Sequence, residues 1–177
     1  MAPLSPEPPP RPAPIGPPEP VESAGRWLRD VVIRNELETA WPGTDPDYRL
    51  ALIQAIIYLN EQHPELIGRD RDELARLLSR EDPTHHPLWP LCALLLMEEF
   101  VQVLGEINLD TLRTAAPKRS DSAYRLVLFE HQSEPAIDQP PEMHSHGLLM
   151  HLRGERWVVA GLSERPAVPG WPPDLGY

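Results

Sequence analysis

The sequence predicts an α+β domain, with N-terminal helices packed on a small, mostly antiparallel C-terminal sheet. Three observations carry this expectation. Up to Gly105 the apolar residues recur at the three-and-four spacing of helices. Beyond it they alternate, as in strands. Near the end, two apolar runs flank Arg153-Gly154-Glu155, as in a hairpin. The chain has 177 residues, enough for one domain with its own core. That domain is expected over residues 22–177, after a tail spanning 1–21.

The tail is nearly half proline. Proline lacks the N–H that ladders need, and the tail has too little apolar surface to offset its ordering entropy, so disorder or polyproline II is expected. Pro9-Pro10-Arg11-Pro12 has the spacing that aromatic grooves accept, a spacing that any proline-rich stretch produces by chance.

A first helix is expected over residues 22–40. Trp27, Leu28, Val31 and Val32 sit at helical spacing, Ile33, Leu37 and Ala40 continue a drifting stripe, and Ser23 is placed to cap. Trp41-Pro42-Gly43 stops it. The second helix starts at Thr44 or Asp45 as cap and Pro46 at the first position, with Asp47 favoured by the helix dipole. Leu50, Ile53 and Ile57 line one side, with Leu52, Ile56 and Leu59 beside them. The helix is therefore apolar on more than half its circumference and should be buried, ending at His63-Pro64. A short third helix, about 70–80, has Leu74, Leu77 and Leu78 as its inner stripe. A fourth, about 87–104, begins apolar all round, which predicts a central helix, and stops at Gly105.

Ile107, Leu109 and Thr111 fit a short strand or a continued helix. Residues 115–122 read as a basic turn, 124–130 as a strand, and 131–146 as an acidic, proline-rich loop. In the hairpin, Gly154 can take the positive φ of a tight turn. Trp157 is expected in the core, where truncation to alanine would cost about 3–5 kcal/mol. Residues 166–173, rich in proline, should lie extended with Trp171 pegged into the body.

The net charge of −11 argues against nucleic acid and against an anionic membrane surface, since phosphate neutralisation needs clustered Lys and Arg. Lys118 is the only lysine among the basic residues, a bias typical of GC-rich bacterial genomes. Cys92 is the only cysteine, so no intrachain disulfide can form. A reducing cytoplasm is the expected compartment. No signal-peptide pattern opens the chain, and the longest apolar run, residues 91–97, is far short of the roughly 20 residues that span a bilayer.

The tempting chemistry is His144-Ser145-His146, two imidazoles on one strand face that could ligate a metal. It resembles the opening of a cupin motif. His151 falls at opposite parity, however, and no further His follows it, so solvated or hydrogen-bonded histidines are expected and no metal. His85-His86 read as loop residues, Glu98-Glu99 as a solvated edge, and Cys92 as a small buried hydrophobe. No phosphate-cradling glycine motif and no nucleophile elbow occurs, so no cofactor is expected.

Residues 124–129, 147–152 and 155–162, following an apolar second helix, resemble the NTF2-like (cystatin-like cone) superfamily, as do Trp41-Pro42 with Thr44-Asp45-Pro46 and residues 168–173. The likeness is to uncharacterised actinobacterial members, and three or four strands are counted where the superfamily usually has more. It implies a curved sheet wrapping a long helix around a pocket. No catalytic pair of that superfamily's enzymes maps onto a position here. Two functions follow as expectations. One is a non-catalytic interaction or scaffold domain that binds a protein partner or itself. The other is a small-molecule binder or enzyme with Glu130, His144 and His146 at the mouth of an apolar pocket and Trp157 and Trp171 completing it.

Overall fold

A computed structural model describes residues 19–105, 107–115, 123–132 and 143–176. The expectations for 1–18, for most of the basic turn and for 133–142 lie outside these residues. The helices precede the strands, and the strands form one antiparallel sheet in the order β1-β2-β3-β4, an α+β arrangement.

Helix α1 (Pro20–Leu28) starts two residues earlier than expected. Proline is at home at the first helical position, where its missing N–H costs nothing. Ser23 consequently sits inside the helix, donating its N–H to the Glu19 carbonyl at 3.1 Å. Ala24, Trp27, Leu28 and Val31 repeat at helical spacing, and each is 3 % exposed or less. The expected single helix over 22–40 is in fact broken. It widens into a π turn (Arg29–Ile33), where Val31, Val32 and Ile33 crowd the helical backbone. It stops at Asn35, whose φ of 56° is left-handed. A short α2 (Leu37–Ala40) and a 3₁₀ turn (Trp41–Gly43) follow.

Helix α3 (Pro46–Leu59) is capped by the Asp45 carboxylate, which accepts from the Asp47 N–H at 2.9 Å. It buries Tyr48, Ala51, Leu52, Ile53, Ile56 and Ile57, as its broad apolar surface requires. Helix α4 (Arg71–Leu78) is capped by Asp70, which accepts from the Asp72 and Glu73 N–H groups. Helix α5 (Trp89–Leu104) buries Trp89, Cys92, Leu96, Phe100 and Leu104. It is not central. Leu94 is 57 % exposed and Val101 55 %, so one apolar flank faces out. The helix laid on the sheet is α1, which packs against all four strands.

The strands are β1 (Asn108–Ala115), β2 (Tyr124–Gln132), β3 (Met143–Arg153) and β4 (Arg156–Gly161). The stretch read as a loop over 131–146 is strand at both ends, with unbroken β2–β3 pairing from Tyr124↔His151 to Gln132↔Met143. Gly154 turns the hairpin with φ 62°. Val127, Phe129, Leu148 and Met150 fill the centre of the inner face with no exposure at all, where the resemblance implies a pocket. A register shift after Leu149 inserts one residue into β4. There the Val159 carbonyl accepts from the Asp45 N–H at 2.8 Å, which fastens the start of α3 to the edge of the sheet.

Candidate interaction groove

Helix α5 carries more apolar side chains than one buried face can hold. The surplus lines a groove of about 960 Å³, open to solvent, between α2 with its lead-in and the outer flank of α5. Leu37, Ala93 and Met97 lie along it, with Leu94 and Val101 rising beside them. The rim is acidic: Glu36, Glu38 and Glu98 line it, and among the described residues no lysine, arginine or histidine does. One end is pinned where the buried Trp89 indole donates to Glu38 Oε1 at 3.2 Å. Trp89 also meets Trp41 edge to face at 5.1 Å, so the short α2 is held against α5 by two aromatic rings. The groove is therefore built on packed elements, not on a loose loop.

A second polar arrangement lies at the N-terminus of α3. Asp45, 4 % exposed, accepts from Arg153 Nε at 3.0 Å, and its Oδ2 lies 2.8 Å from His151 Nδ1. Burial alone would raise the Asp45 pKa. The hydrogen bonds from Arg153, His151 and the Asp47 N–H outweigh it and hold the carboxyl below its ordinary value. Tyr124 stacks on His151 at 4.3 Å. The carboxylate is thus engaged at once as helix cap and as anchor for the hairpin. Sequence reasoning found the cap and missed the anchor. The available signal was a histidine and an arginine sharing one face at the end of an apolar strand.

The residues expected around a pocket are dispersed. Glu130 pairs with Arg113 across β1 and β2. His146 stacks on Phe129 at 5.5 Å. By register, His144 and His146 stand on the Phe129 face and Glu130 on the opposite one, beside Ser145. Among the described residues no group of three His, Cys, Asp or Glu side chains is placed to hold a metal. Trp157 is only partly buried, below Arg125, and with Arg26 and Asp30 it lines a cleft of about 230 Å³. The expected core position is corrected accordingly: at the rim of the sheet, one side of the indole meets a guanidinium in place of packed carbon. Trp171 lies on α4, donating to Asp72 Oδ1 at 2.7 Å beneath Arg71. Cys92 has no exposure, and burial pushes its thiol up to about 11.

No helix among the described residues is long and apolar enough to cross a membrane. Compared with models of known families, with curated proteins and with solved structures, the chain matches none.

Proposed function

We propose that this chain is a non-catalytic protein-interaction domain that docks a partner in the groove between α2 and α5. The observation that carries the reading is the exposed apolar flank of α5, Leu94 and Val101, beside a groove held open by packed tryptophans. Contiguous exposed apolar surface is costly in water and marks contact sites. Covering Leu94 and Val101, each a little over half exposed, contributes roughly 1–1.5 kcal/mol apiece. The Asp45–His151 pair supports a non-catalytic reading, because its carboxylate already serves Arg153 and a helix cap. The net charge of −11 favours a protein partner over nucleic acid or an anionic membrane. A lone, inert Cys92 suits a bacterial cytoplasm.

Photo-crosslinking in the cells that make the protein tests this. Benzoylphenylalanine at Leu94 should give one discrete adduct, and the same probe at Ile67, 58 % exposed and outside the groove lining, should give none. Equal labelling at both positions, or at neither, overturns the reading.

The alternative is a small-molecule binder or enzyme of the NTF2-like kind. It is favoured by one observation, the cleft that Trp157 lines with Arg26, Asp30 and Arg156. Native mass spectrometry of protein purified without chelators would then show a bound mass that Trp157→Ala removes.

A further inference from the structure

We infer that the groove takes a cationic amphipathic helix from a partner protein, its apolar stripe on Leu94, Met97 and Val101 and its lysines or arginines against Glu36, Glu38 and Glu98. This rests on the interaction reading above and adds the chemistry of the partner. Leu94 and Val101 are seven residues apart on α5, about 10 Å at 1.5 Å per residue. That is two helical turns, the span of side chains at i, i+3 or i+4, and i+7 on a helix laid in a groove.

The rim sets the charge. Glu36, Glu38 and Glu98 are exposed, and none is ion-paired with a described residue. Three carboxylates beside an apolar floor favour a basic partner and repel an acidic one. A second copy of this chain is disfavoured on that ground, because a two-fold contact would set the same carboxylates against themselves on a chain of net charge −11. The chain's own residues 1–18 are a poor match, with Arg11 balanced by Glu7 and a proline content that forbids a helix. An extended strand is also a poor match, since α2 and α5 have already spent their backbone groups on their own helices.

The test uses the full chain and a labelled synthetic helix with leucines at i, i+3, i+7 and i+10 and lysines between, alongside a twin carrying glutamate at every lysine. Fluorescence anisotropy should show the lysine peptide binding at least about ten-fold tighter, with affinity falling as salt rises. The double variant Glu36→Lys/Glu98→Lys should invert that preference. Leu94→Ser/Val101→Ser should weaken both peptides, with unchanged circular dichroism and a cooperative melt that stays well above the assay temperature. Equal binding of the twins, lost in the serine variant, overturns the charge assignment and leaves the groove reading standing. No binding of either peptide, with a discrete Leu94 crosslink to another protein, likewise rejects the helix alone. Binding indifferent to all four substitutions places the peptide elsewhere on the acidic surface and overturns the inference. A Leu94 crosslink to residues 1–18, or to a second copy, replaces the partner with this chain itself.

Discussion

Asp45 does three jobs with one carboxylate: it caps α3, binds Arg153 and faces His151 Nδ1. Asp45→Ala should therefore lower stability by about 2–4 kcal/mol, the sum of a cap and a charge-assisted hydrogen bond. Asp45→Asn retains a capping oxygen and should cost less. The pH dependence has a definite sign. The carboxyl has a lower pKa folded than unfolded, so its contribution is fully present above the ordinary aspartate value of about 4 and is lost as pH falls through the native value. Urea melts should show the wild-type advantage over Asp45→Asn at pH 7 shrinking on acidification. Cys92 offers a simpler check. Buried and with its thiol pushed up to about 11, it should resist dithionitrobenzoate in the native protein at pH 8 and react on unfolding. The burial of Cys92 was legible from its apolar run. The Asp45 anchor was not, because its partners stand 106 and 108 residues away and no local pattern joins them.

Among elements, the legible ones are those whose signals are local. The start of α3 at Asp45 and Pro46, the start of α4 near Asp70 and the hairpin at Gly154 follow from local chemistry alone. The break in the predicted first helix was hidden, since Val31, Val32 and Ile33 extend an apolar stripe while resisting the helical backbone. The end of α5 is sharper. Gly105 has φ 52° and ψ −143°, a region that a side chain strongly disfavours. A Cβ there would meet nothing within 4 Å, so Gly105→Ala should cost about 1–3 kcal/mol through backbone strain alone, read as a shift in melting temperature at unchanged secondary structure. The C-terminal segment hangs on fewer contacts: Ala167 to Ala160, Gly170 to Gln54 and Trp171 to Asp72. Trp171→Ala should raise hydrogen exchange across residues 166–176 while leaving α3 protected.

For the molecule as a whole, the fold class could be read from the order of periods, but the roles of the helices were exchanged. An all-round apolar sequence in α5 reads as burial. The three-dimensional arrangement lays α1 on the sheet, where its narrower stripe touches every strand. The surplus on α5 is surface, and this has a thermodynamic signature. Leu94→Ser/Val101→Ser should cost about 1–2 kcal/mol in all, less than truncation of Phe100 alone, because more than half of each side chain is already in water. The position of α1 against the sheet also bears on biosynthesis. Residues 20–28 are made before the strands that pack on them, residues 108–161. At about 5–20 residues per second the strands follow α1 on the order of 4–25 seconds later, an interval in which Trp27 can meet Thr44 and Phe100 but not the sheet. Translation speed and holding chaperones thus act on this chain through its first helix, and the core closes only when β4 has been made.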